Sequence, residues 1–180
     1  TADGNSGFLR CAVDRGYAGR KKLVRGKIVM KVIGITGGVG SGKSAVLKLL
    51  EEEYHAVVVQ LDEVAKALQR KGTPCWKAIV EAFGREILDE NEELDRKKLA
   101  QIVFQSSEKL EQLNGIVHPA VKQQVLLDIE EKRKEKTELY VLEAALLLEA
   151  GYAKICEETW FIYTEESVRR ERLKASRGYS

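Results

Sequence analysis

Cysteine, proline, methionine and aromatic residues are all scarce in this 180-residue chain: three Cys, two Pro, one Met and 7% aromatics. Cys11, Cys75 and Cys156 are odd in number, far apart and without metal-ligand spacing. That argues against a disulfide framework or a zinc site and for reduced thiols in a cytoplasmic setting. No apolar run approaches membrane-spanning length, so the chain reads as soluble, with no membrane partner. A strong excess of one charge is missing as well, the net being +2. Residues 1–29 hold seven Lys or Arg against Asp3 and Asp14, a local +5 that leaves −3 on the remainder. A mildly acidic body lacks the clustered basic surface of a nucleic-acid binder, so no nucleic-acid partner is expected. Oligomeric state is left open by the sequence.

With 44% hydrophobic and 32% charged residues, the chain can bury one core and carry a small inserted subdomain. Residues 1–29 are rich in Gly and Arg and show no periodicity until Leu23. They read as a disordered basic tail, an organelle leader being the other reading.

The informative stretch is Gly37-Gly38-Val39-Gly40-Ser41-Gly42-Lys43-Ser44, which follows the apolar run Val32-Ile33-Gly34-Ile35 and precedes the helical pattern Val46, Leu47, Leu49, Leu50. Its glycines allow a tight turn that exposes consecutive N–H groups, and the next helix aims its partially positive N-terminus at the same spot. In this strand-loop-helix context it is a P-loop, a cradle for polyphosphate. Lys43 can reach the β- and γ-phosphates of ATP, and the Ser44 hydroxyl can ligate the Mg²⁺ between them.

Strand-like Lys31–Thr36, a helix to about Tyr54 and strand-like residues 56–61 make a βαβ unit, hence a parallel sheet with helices on its faces. Asp62 stands at the carboxyl end of the second strand, where such sheets bind ligands. It reads equally as the N-cap of a helix over 63–70 and as a general base taking a hydroxyl proton during phosphoryl transfer, and the two roles are compatible. Between 66 and 136 the pattern turns helical. Thr73-Pro74 opens one helix and Gly84 ends it; Asp95 opens another with Leu99, Val103 and Phe104 on one face. His118-Pro119 opens a longer helix through Val121, Val125, Leu126 and Ile129. This all-helical insertion is expected to wall the second substrate's site, by analogy with other small P-loop proteins. Strands follow at 139–143 and 159–163, with Thr164 as cap of a helix carrying Arg169, Arg170, Arg172, Lys174 and Arg177. Beside a P-loop, these cations suit the charge on a transferred phosphoryl group.

Taken together, the P-loop, Asp62, Phe83-Gly84, Leu94-Asp95-Arg96, Asn114 to Pro119, Leu146-Leu147-Leu148-Glu149 and Arg169 to Arg177 resemble the dephospho-coenzyme A kinase family. The likeness runs from about Met30, which would be the family-like start, to the last residue. The resemblance implies transfer of phosphate from ATP, with Mg²⁺, to the ribose 3′-hydroxyl of dephospho-coenzyme A, the last step of coenzyme A synthesis. It also implies a P-loop α/β core, a helical substrate domain and a helical lid at about 165–180. Carried over by position, Asp62 is the base, and residues Gly38, Val39, Gly40, Ser41, Gly42, Lys43 and Ser44 hold the nucleotide and its metal ion. Arg96 and His118 face the acceptor, and Arg172 and Arg177 belong to the lid. Three departures stand out: Gln60 where the family has a second aspartate, Ala145 where it often has proline, and an end at Ser180, short of the family's remaining lid helix, strand and final helix. Alternatives are another small nucleoside or nucleotide kinase, and a truncated P-loop protein with little turnover. A GTPase switch is disfavoured, for there is neither Asn-Lys-x-Asp nor an Asp-x-x-Gly after the second strand.

Overall fold

The computed structural model describes residues 23–24, 27–148 and 150–177. These divide into two compact units, one running up to Val59 and resuming at Arg133, the other spanning Gln60–Lys132.

The first unit begins with β1 (Leu23–Val24) paired antiparallel to β2 (Lys27–Ile28). The end of the segment expected to be a disordered tail therefore carries a short ladder, and residues 1–22 lie outside the described residues. The main sheet has four strands in the order β4 (Val57–Gln60), β5 (Leu139–Glu143), β3 (Lys31–Thr36), β6 (Glu158–Phe161). β3 pairs parallel with both neighbours, Ile35 lying opposite Glu143 on one side and Trp160 on the other. The chain thus leaves β3 toward β4 on one side and later places β6 on the other. Binding crevices of open α/β sheets form at such a reversal, beyond the carboxyl ends of the strands.

Alternation along β3 sends Ile33 and Ile35 to one face, where they form a core with Leu139, Val141, Ile162, Ala56 and the buried Leu47 and Leu50 of α1 (Lys43–Tyr54). The other face is closed by Leu147. A methyl group on Gly34 would meet Leu147 Cδ2 at 2.9 Å and Cys156 Sγ at 3.0 Å, so glycine is what lets this loop lie on the sheet. Burial pushes the Cys156 thiol up to about 11 and raises that of Cys75, leaving both protonated at neutral pH. Cys11 lies outside the described residues.

The second unit is helical, with α2 (Leu61–Leu68), α3 (Pro74–Phe83), α4 (Arg96–Phe104) and most of α5 (Ser107–Lys134). Caps set several boundaries. Thr73 accepts from Trp76 N with Pro74 at the first helical position, Gly84 ends α3 at φ 84°, and the Asp95 carboxylate accepts from the backbone N–H groups of Lys97 and Lys98.

Four expectations are corrected here. Asp62 is not an N-cap: α2 starts at the buried Leu61, and Asp62 lies inside the first turn, where with Glu63 it complements the helix dipole. Phe104 is 86% exposed, because it sits five residues, or about 140° of helix, from Leu99 while Val103 shares the Leu99 face. His118-Pro119 does not open a helix. α5 runs through both, since the buried stripe Val117, Val121, Val125, Ile129 continues across the proline and offsets the roughly 3 kcal/mol that an interior proline costs. Leu126 falls beside that stripe and is exposed. Finally, Thr164 does not cap α6 (Glu166–Arg177); its hydroxyl goes to the P-loop.

Candidate active site

β3 ends at Thr36, where the buried hydroxyl donates to the Ala145 carbonyl at 2.9 Å, and the chain turns into the glycine loop. Gly42 takes φ 94° immediately before α1, a left-handed conformation that glycine adopts without strain. The first turn of α1 then presents unsatisfied N–H groups at the loop, beginning with Lys43 and Ser44. No acid lies in that turn to compete for the positive helix end.

Lys43 Nζ donates to the Gly37 carbonyl at 2.6 Å and the Gly38 carbonyl at 3.3 Å, folding the ammonium back along the loop. Glu143, the last residue of β5, comes within 3.9 Å of the same nitrogen. Sequence reasoning missed Glu143. An acidic residue ending a strand was the available signal, but only the β3–β5 pairing places it beside Lys43. Ser41 is buried, and its hydroxyl has no partner among the described residues. Val39 and Ser44 are exposed.

α6 lies over this loop. Arg169 Nε donates to the Val39 carbonyl at 3.1 Å, and its guanidinium packs against Gly38, so that a methyl group there would meet Nη2 at 3.0 Å. Arg172 Nη1 is 3.5 Å from the Gly40 carbonyl, and Thr164 Oγ1 donates to the Ser41 carbonyl at 2.7 Å. Arg172 is therefore brought to the loop, Arg169 makes the tighter contact, and the Arg177 side chain lies outside the described residues. Glu149 of the Leu146 to Glu149 motif lies outside them as well.

In the helical unit, Asp62 is exposed and makes no hydrogen bond or ion pair among the described residues. Its neighbour Glu63 is held below the usual carboxylate range by a hydrogen bond from Lys66, by the Lys66 charge, and less strongly by the Arg96 guanidinium. Arg96, the first residue of α4, thus lies within electrostatic reach of the turn that carries Asp62. His118 is exposed on α5, and no bond joins it to Arg96 or Asp62. Gln60, where the resemblance leads one to expect a carboxylate, is exposed and precedes α2. Among the described residues no group of three or more His, Cys, Asp or Glu side chains could hold a metal ion. No helix among them is long and apolar enough to cross a membrane.

A parallel sheet whose central strand feeds a glycine loop, a lysine and a helix N-terminus defines a P-loop α/β protein. Comparison with known proteins narrows the class. Residues 31–180 match the family model for dephospho-CoA kinase, and the chain belongs to that family. It is 37% identical over 153 residues to the dephospho-CoA kinase of Carboxydothermus hydrogenoformans, covering 85% of this chain and 74% of that one. The dephospho-CoA kinase of Enterococcus faecalis is 41% identical over 145 residues, covering 81% and 72%. Among solved structures, TT1252 from Thermus thermophilus superposes with a TM-score of 0.68 at 32% identity, over 84% of this chain and 74% of that one. The dephospho-CoA kinase from Campylobacter jejuni shares the fold, with a TM-score of 0.62 at 22% identity over 84% and 75%.

Proposed function

We propose that this chain transfers the γ-phosphoryl group of ATP to the ribose 3′-hydroxyl of dephospho-coenzyme A, releasing ADP and coenzyme A. The observation that carries the reading is the loop itself, Gly37 to Ser44, with Lys43 beginning α1, in a chain whose family is that of dephospho-CoA kinases.

In this reading the loop N–H groups hold the phosphates, and Lys43 swings from the Gly37 and Gly38 carbonyls to the β- and γ-phosphate oxygens. Arg169 and Arg172 on α6 neutralise charge on the transferred group, a contribution that comes from placement rather than from new bonds to carbon or phosphorus. Asp62 orients the 3′-hydroxyl and takes its proton as the oxygen attacks phosphorus in line. The bond from the γ-phosphorus to the bridging oxygen breaks, and ADP leaves with that electron pair. Arg96 and His118 bind the acceptor nucleotide.

Mg²⁺, when bound, would supply positive charge against the charge developing on the phosphates. Ser44 fits a holding role: its exposed hydroxyl opens the first turn of α1, and Mg²⁺ on a nucleotide takes most of its ligands from phosphate and water.

The test is ADP release from Mg-ATP with and without dephospho-coenzyme A, using AMP and adenosine as alternative acceptors. Stimulation by dephospho-coenzyme A alone supports the assignment; equal stimulation by AMP or adenosine replaces it with a broader nucleoside or nucleotide kinase.

A further inference from the structure

A phosphate cradle works only if its peptide N–H groups face inward, and a glycine-rich loop does not hold its peptides by side-chain sterics. A trans peptide points its C=O and N–H in opposite directions. Turning over the unit between Ser41 and Gly42 would therefore aim an oxygen where a donor is needed. Gly42, at φ 94°, sits where such a rotation meets little resistance.

One side-chain bond opposes it. Thr164 Oγ1, 123 residues further along the chain, donates to the Ser41 carbonyl at 2.7 Å. The connection carrying Thr164 is itself anchored, as Ile162 N donates to the Thr36 carbonyl at 2.8 Å. The Ser41 hydroxyl cannot substitute, being buried without a partner among the described residues. Arg169 and Arg172 reach the carbonyls of Val39 and Gly40, peptides earlier in the loop. The Gly42 N–H, on the far side of the tethered peptide, meets no acceptor among the described residues.

We infer that Thr164 is a positioning residue for nucleotide binding: through the Ser41 carbonyl it keeps the Gly42 N–H turned into the phosphate cradle. Thr164 itself touches no phosphate. The inference rests on the reading of the loop as the ATP site, and the consequence is kinetic as well as structural. A donor held equally in ground and transition states affects nucleotide affinity and leaves the chemical step alone.

The experiment compares the 180-residue chain with Thr164→Val, which keeps the shape and loses the hydroxyl, and with Thr164→Ser, which keeps the hydroxyl. Mg-ATP affinity is measured by calorimetry, kcat and both KM values by coupled ADP assay, and the melting midpoint by fluorescence. Thr164→Val is expected to weaken Mg-ATP binding and raise its KM about five- to tenfold, the weight of one hydrogen bond, with kcat within about twofold. The KM for dephospho-coenzyme A and the melting midpoint stay near those of the parent, and Thr164→Ser restores affinity. The inference is overturned if Thr164→Val binds Mg-ATP as the parent does, if Thr164→Ser loses as much, or if kcat falls instead. It is overturned too if Thr164→Val does not fold, since the hydroxyl then serves the fold as a whole. A parent chain that binds no Mg-ATP sinks the proposed function and this inference together, whereas equal binding by parent and variant sinks this inference alone.

Discussion

In the sheet unit, several side-chain bonds of the loop and its strands join residues more than a hundred positions apart, Thr36 to Ala145, Thr164 to Ser41 and Lys31 to Glu158, beside the local bonds from Lys43 to the Gly37 and Gly38 carbonyls. In the helical unit most of the side-chain bonds are local, as with Thr73 capping Trp76 N, Asp95 capping Lys97 and Lys98, and Lys66 pairing with Glu63 three residues away. The exceptions include the exposed pairs of Lys71 and Arg85 with Glu92 and the half-buried bonds from Trp76 Nε1 to the Glu92 carbonyl and from Lys98 Nζ to the Leu88 carbonyl. Helices in the second unit can therefore be set by neighbours in sequence, whereas the loop in the first acquires its shape only after strands distant in sequence have paired. The unit with the distant bonds carries the proposed phosphate site, and the unit with the local ones supplies the proposed base.

The sharpest way to test that division of labour is to remove one group from each unit. Asp62→Asn is expected to lower turnover by about a hundredfold or more, the usual size of a lost general base, while Mg-ATP binding stays close to that of the parent. Lys43→Ala is expected to do the opposite first, weakening Mg-ATP binding by about tenfold or more, as a charge-assisted contact is lost. Calorimetry and the ADP assay on both variants check the pair. Unchanged turnover in Asp62→Asn would remove the helical unit's residue from the chemistry.

A second comparison concerns stability. Gly34→Ala places a methyl group against Leu147 and Cys156 inside the sheet unit, and should destabilise by about 1–3 kcal/mol in chemical unfolding. Thr73→Ala removes a local cap in the helical unit and should cost about 1 kcal/mol. If the order were reversed, the view that long-range packing dominates the sheet unit would fail.

The smallest effect is a pH dependence. Glu158 at the start of β6 is held below the usual carboxylate range chiefly by a hydrogen bond from Lys31, which outweighs the opposing effect of burial, with smaller help from Trp160 and the Lys31 charge. A depressed carboxylate stabilises the fold fully above its unfolded value of about 4.3 and loses that contribution as pH falls through its lower folded value. Because its side chain is 42% exposed, solvent screening holds the contribution below about 1 kcal/mol. Stability profiles of the parent and Lys31→Met should therefore differ above that acidic window and converge below it; parallel curves would show the pair to be energetically silent.

How far the sequence could be read follows the same line. Lys31–Thr36 and Leu139–Glu143 were legible to the residue from apolar runs, the helix after the glycine loop was legible as far as about Tyr54, and Thr73, Gly84 and Asp95 as helix boundaries. The reading failed where a local signal met a stronger distant one. Pro119 signals a helix start, yet the buried stripe on either side carries α5 through it. Asp62 looks like a cap, yet burial of Leu61 starts the helix earlier.

By itself, the sequence determined the loop, because a phosphate cradle needs glycines, a lysine and a helix start within eight consecutive residues, and chemistry confined to one turn is written in one stretch. It likewise determined the family, through motifs spaced along the chain. The tertiary structure alone decided what surrounds that loop: Glu143 beside Lys43, Arg169 against Gly38, Thr164 on the Ser41 carbonyl. Each of these lies far away in sequence, and no spacing rule connects them. They meet because β5 and β6 pair on either side of β3 and deliver their carboxyl ends, with the segments that follow, to the same edge of the sheet.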